Sequence, residues 1–177
     1  MPLTMRRNAW KTIKVAFGLF QIVADSSNII RWKTVLNTRT ESYCMDGVST
    51  ILNHEAGGHG FAHLADEYIE SGNENLTLPT ERKDELDKAH AKDWYMNVDY
   101  NQGSQSTWKD YLNDSRYTSE NIGSYEGAFL YGKGCYRPTE NSMMRYNDTP
   151  FNAPSREAIY KRVMTLSDPS YKYSHED

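Results

Sequence analysis

Gly57 and Gly58 sit side by side between His54 and His59, within a stretch from about Val48 to Tyr68 that reads as helical. Ile51, Leu52, Phe61, Leu64 and Ala65 are its residues available for packing. Glycine is a poor residue for a helix interior, so a pair of them there constrains the backbone more than any other feature of the chain. The run reads His54-Glu55-Ala56-Gly57-Gly58-His59-Gly60-Phe61-Ala62-His63-Leu64-Ala65-Asp66-Glu67-Tyr68 and holds three of the five histidines. In a regular α-helix, with 3.6 residues per turn, side chains at i and i+5 point roughly 140° apart. A π-type bulge absorbs one additional residue and brings the flanking faces back into line. The glycine pair stands where such a bulge is needed. The spacing therefore predicts a distorted helix with His54 and His59 on one side.

That pairing points to a metal. The text H-E-x-x-H of zinc peptidases appears here with one residue added. His54 and His59 are the candidate ligands, and Glu55 is the candidate general base. Catalytic zinc takes three protein ligands and a water, and the third ligand must come from His63, Asp66 or Glu67. Asp66 is favoured, because it lies two helical turns past His59 or just beyond a helix end that bends back. A carboxylate also keeps the site less positive than three imidazoles would, while still acidifying a bound water. A rival set, His59, His63 and Glu67, shares a face of an undistorted helix and leaves His54 and Glu55 without a task. A solvated helix holding no metal is the third reading, against which stands the density of His, Asp and Glu around the glycines.

The rest of the chain bounds the class. A length of 177 residues suits one domain with its own core. A net charge of −4 with no block of Lys or Arg argues against nucleic acid or an anionic membrane as partner. Cys44 and Cys135 lack the spacing of a structural zinc site, and form either one bridge or two buried thiols. Met5-Arg6-Arg7 followed by the apolar run Val15 to Ala24 faintly resembles a signal peptide, but Lys14 and Gln21 interrupt it and no A-x-A pattern follows. That run is too short to span a bilayer, and the alternative is a strand or helix of the fold. A strand is expected over Thr34 to Leu36, a loop over Ser71 to Thr80, and a surface helix from an N-cap at Thr80 to Lys92 with Leu86 and Ala89 inward. A helical turn follows at Trp108 to Leu112, then strand and loop from Gly123 to Pro138. Pro154 and Ser155 open a last helix carrying Ile159, Val163 and Met164, and the tail beyond Asp168 is expected to fray.

H-E-A-G-G-H-G-F-x-x-L-A-D-E-Y resembles the active-site motif of the IgA-peptidase (igalysin) family of bacterial zinc metallopeptidases, and Bacteroidetes-type members down to the Gly-Gly. The resemblance continues through Trp94, Asn97-Val98-Asp99, Tyr125-Glu126-Gly127, Tyr136-Arg137-Pro138-Thr139, Asn141-Ser142-Met143-Met144 and Phe151 to Tyr160, in order, over roughly residues 48 to 166. It implies a metzincin-like α/β (α+β) domain over 34–168, with a small mixed sheet on the active-site helix and an irregular C-terminal half. Residues 1–33 stay unplaced, and 169–177 form a polar tail. It further implies Zn2+ on His54, His59 and Asp66, catalysis by Glu55, and a methionine turn at Met144. Tyr146 matches the position of a zinc-linked tyrosine in some metzincins. The implied substrate is a protein or peptide outside the cell, at the envelope or beyond it. The first 33 residues match nothing in the family and the loop Arg39 to Gly47 is short for it, so an N-terminally shortened domain is expected. The alternative function is an inactive module that keeps its metal and binds peptide or glycan, against which Glu55 argues, since a binding site needs no general base.

Overall fold

The computed structural model describes the strands Lys11–Lys14, Phe20–Ala24 and Ile30–Thr34 together with residues 50–175. The three strands, β1 to β3 in that order, form an antiparallel sheet with β2 in the middle. Ile22 of β2 lies opposite Ile13 of β1 and Trp32 of β3. The run that resembled a leader thus contributes a strand at Phe20–Ala24. Of the strand expected over Thr34 to Leu36, Thr34 closes β3, while Val35 and Leu36 lie outside the described residues, as do Cys44 and the loop Arg39 to Gly47.

The helix α1 follows, wound as a π-helix over Asn53–Phe61. It ends well short of Tyr68, where the apolar pattern had carried it. The amide of Ala62 bonds back to Gly57 O at 3.1 Å and that of Leu64 to Gly58 O at 2.9 Å, and His63 turns left-handed with φ of 53°. These wide closures end the helix and reverse the chain. The surface helix α2 spans Thr80–His90 and buries Leu86 and Ala89, as the sequence predicts. Thr80 is its first helical residue rather than its cap; Pro79 holds that place, with no side-chain bond. Strands β4 (Tyr125–Ala128) and β5 (Tyr131–Arg137) form an antiparallel hairpin. Both sheets are antiparallel, so the expected mixed sheet is corrected: parallel pairing occurs among the described residues only as single bridges, Ile69 with Leu130 and Thr77 with Lys133. Helix α3, Ala153–Ser167, is capped by Asn152, whose side chain accepts from the Ser155 amide at 3.1 Å, and it buries Ile159 and Val163. The segment after α3 packs rather than frays: His175 stacks edge-on against Tyr111, and its backbone carbonyl accepts from Arg116.

The class is therefore α+β. One core cluster joins α1 to α3 through Phe61, Leu64, Met143, Met144, Phe151, Ile159 and Val163. A second joins α2 to the hairpin through Leu86, Val98, Phe129 and Cys135. The thiol of Cys135 is buried there, and burial pushes it up to about 12.

The glycine pair has a second reason beyond backbone freedom. A Cβ on Gly58 would lie 2.3 Å from Met144 Sδ and 2.8 Å from its Cε. The Met144 side chain therefore lies against bare backbone at the middle of α1. Gly60 faces outward, where the nearest atom to a Cβ is 3.4 Å away. Gly58→Ala should accordingly destabilise the protein by about 1–3 kcal/mol through overpacking. Gly60→Ala should be neutral or stabilising by up to about 1 kcal/mol, and urea titration of the two variants separates the cases.

Candidate metal centre

Wide winding of α1 puts His54 and His59 on the same side. Each ring is then oriented by a backbone carbonyl. His54 Nδ1 donates to Met143 O at 2.9 Å, and His59 Nδ1 donates to Leu64 O at 2.8 Å. In the neutral rings these partners assign the tautomer, with the Nε2 lone pair available to a metal ion. The first carbonyl belongs to the turn between β5 and α3, and the second to the chain reversal after α1.

The reversal delivers the third group. Beyond His63 the chain runs beside Phe129 and Leu130, whose amides bond Asp66 O at 2.9 Å and Tyr68 O at 3.1 Å. Neighbouring side chains along such a segment project to opposite sides. Asp66 projects toward the histidines. Its Oδ1 lies 3.1 Å from His54 Nε2 and 3.0 Å from His59 Nε2, and the two nitrogens are 3.2 Å apart. His54, His59 and Asp66 are a group that can hold a metal ion, and no other such cluster occurs among the described residues. The fit can be tested by geometry. Four ligands about 2.0–2.1 Å from a zinc ion in a tetrahedron stand about 3.3 Å from one another. The three distances here are slightly below that edge, so an ion enters with small outward shifts of the rings.

The other sequence candidates are separated from this point. His63 stacks on Trp94 with ring centres 4.2 Å apart, and burial followed by the nearby Arg162 charge lowers its pKa. Glu67 is fully buried on the opposite side, bonded to Asn97, Ser142 and Asn152. The rival set of His59, His63 and Glu67 is not brought together, because α1 ends before the spacing can act. Glu55 is exposed beside the triad, and its charge adds a minor upward push to His59, after the bond to Asp66, and to Tyr68, after burial and Asp66. Tyr146 is half exposed with the Arg145 guanidinium 4.8 Å above its ring.

Sequence reasoning passed over Tyr68. Its ring centre is 6.5 Å from that of His54, and its phenol is pushed up first by burial and then by the charge and hydrogen bond of Asp66. The signal was legible only as i, i+2 alternation from Asp66, which a helix drawn through Tyr68 conceals.

His59 is raised above 6.5, first by its bond to Asp66. His54 is also raised: burial opposes its charged form, but Asp66 and the Met143 carbonyl outweigh it. Burial pushes Asp66 upward, yet the two histidines draw it down to about 2.

Residues 92–163 match the model of a family described as IgA Peptidase M64. This match supports membership of the IgA-peptidase family. Peptidase function and a protein substrate are what the family implies, and no described helix is long and apolar enough to cross a membrane. The matched residues begin after Asp66, so the IgA-peptidase match takes in Ser142, Met143, Met144 and Asn152 but none of His54, His59 and Asp66. Those stand on their geometry. No curated protein matches the chain.

The raised histidines contribute stability that is full below about pH 6.5 and is lost as pH rises through their folded values. The depressed Asp66 contributes above about pH 3.8 and loses its part as pH falls toward about 2. The metal-free triad thus supports the fold best from about pH 4 to about 6.5. Metal ions must displace the histidine protons, so the rise in Tm on adding Zn2+ should grow as pH goes from about 6 to about 8. Thermal scans with and without metal across that range measure it.

Proposed function

We propose that the chain is a zinc-dependent endopeptidase that hydrolyses peptide bonds of extracellular or cell-envelope proteins. The observation carrying this reading is the meeting of His54 Nε2, His59 Nε2 and Asp66 Oδ1 within 3.2 Å of one another, with a glutamate directly after the first histidine. Those three atoms would hold the ion. Zinc in such a setting lowers the pKa of a water toward neutrality and polarises a scissile carbonyl. Glu55 takes the proton from the attacking water and later gives it to the leaving amine. The carbonyls of Met143 and Leu64 hold the two imidazoles in the tautomer that leaves Nε2 free. Met143 and Met144, between β5 and α3, take the place of the methionine turn of metzincins, with Met144 packed against Gly58.

Tyr146 is proposed to help polarise the carbonyl oxygen by donating a hydrogen bond from its phenol, in line with the tyrosine of some metzincins. Tyr68 competes for that role on its position beside Asp66.

Glu55→Gln should keep about one zinc per chain, by mass spectrometry, while cleavage of a quenched peptide falls by 100-fold or more, on the order of a lost general base. Full zinc in both His54→Ala and His59→Ala would move the site elsewhere. Tyr146→Phe should lower kcat about tenfold or more at unchanged zinc content. If Tyr68→Phe does so and Tyr146→Phe does not, the phenol role passes to Tyr68.

A further inference from the structure

Asp66 and Glu67 are adjacent carboxylates that the chain sends in opposite directions. One reaches the histidines. The other is fully buried in the protein and meets a closed set of donors. Glu67 Oε1 accepts from Asn97 Nδ2 at 2.9 Å and from Asn152 Nδ2 at 3.0 Å. Its Oε2 accepts from Ser142 Oγ at 2.6 Å and from Asn152 Nδ2 at 3.2 Å. The amides cannot turn over to suit another partner. Asn97 Oδ1 already takes the Ala65 amide at 2.9 Å, and Asn152 Oδ1 takes the Ser155 amide. Both are held so that their NH2 groups face Glu67, which must then present two acceptor oxygens.

The donors link Glu67 to segments that bear on the metal centre. Asn97 also donates to Ala65 O at 2.8 Å, and so clamps the residue before Asp66 from both its amide and its carbonyl. Ser142 precedes Met143, whose carbonyl orients His54. The Glu67 amide donates to Met144 O at 2.8 Å, a second tie to the same turn. Asn152 caps the helix that packs on α1.

From this arrangement, and resting on the metal site proposed above, we infer that Glu67 is a positioning residue. Its carboxylate ties the Asp66 segment to the Met143–Met144 turn, fixing the distance between Asp66 and the carbonyl that aims His54. Polar partners just outside a ligand set act on metal affinity, and their loss typically weakens it 10–100-fold. Glu67→Gln keeps the volume but replaces one acceptor oxygen with an NH2 that faces the fixed Asn97 or Asn152 amide, or Ser142. The tie should loosen without opening a cavity.

The test is Zn2+ affinity of the full chain, by competition with a chromogenic chelator. Glu67→Gln is compared with wild type and with Leu86→Ala, a core variant in the second cluster that makes no bond to the Glu67 network. Zn2+ affinity of Glu67→Gln should fall about 10–100-fold, while Leu86→Ala binds as wild type does even if its Tm falls as far. Equal affinity of Glu67→Gln and wild type overturns the inference, as does an equal weakening in Leu86→Ala, which would reduce Glu67 to general stability. If Glu67→Gln does not fold, Ser142→Ala removes only the tie to the turn; several-fold weaker Zn2+ binding sustains the inference, and unchanged binding overturns it. A wild-type chain that binds no Zn2+ defeats the metal site itself, and the role of Glu67 with it.

Discussion

His59 stands five positions after His54, and no regular α-helix can aim both at one point. The wide winding of α1 removes that obstacle, and the surrounding structure is arranged around it. The wide turn is stable here because its ends are tied elsewhere: Gly57 O and Gly58 O receive the amides of the reversing chain, and each imidazole is anchored by a carbonyl. A π-helix forgoes the tighter bonding of an α-helix, and tertiary contacts supply what is lost. Met144 contributes by lying against Gly58, where any side chain would intrude.

The turn between β5 and α3 links structure to chemistry. Its Met143 carbonyl sets the tautomer of His54, its Met144 side chain packs under α1, and its Ser142 hydroxyl bonds Glu67. Ring orientation, helix packing and ligand-segment placement thus meet in three consecutive residues. The family match includes this turn while leaving the histidines outside, so the two lines of support for a peptidase are separate. One is a sequence profile over the C-terminal part of the domain; the other is the convergence of three donor atoms.

Electrostatics gives the same account. Two imidazole nitrogens and a carboxylate oxygen about 3 Å apart repel unless a positive charge lies among them. A positive charge among them relieves that repulsion, and the same closeness raises both histidines and depresses Asp66. Glu67, the next residue, has the opposite balance: burial raises it, although Ser142, Asn97 and Asn152 all donate to it and Arg137 lies near. Adjacent acids differ because alternation sends them into different surroundings.

The sequence by itself determined the local necessities. Two histidines at i, i+5 around a glycine pair required a distorted helix, since helical geometry allows no other common face. The surface helix with only Leu86 and Ala89 inward, and the last helix with Ile159 and Val163 buried, followed from periodicity. The choice of Asp66 as the group that joins the two histidines did not. His63, Asp66 and Glu67 were all open while α1 was drawn through Tyr68, because apolar spacing continues past the point where the helix stops. What ends it is a set of amide-to-carbonyl closures and a left-handed His63, and what then aims Asp66 is pairing with Phe129 and Leu130, far along the chain. Periodicity records which face is apolar; it carries no information on contacts between distant segments. Only the tertiary structure could send Asp66 to the histidines, Glu67 into the core and Tyr68 back to the site.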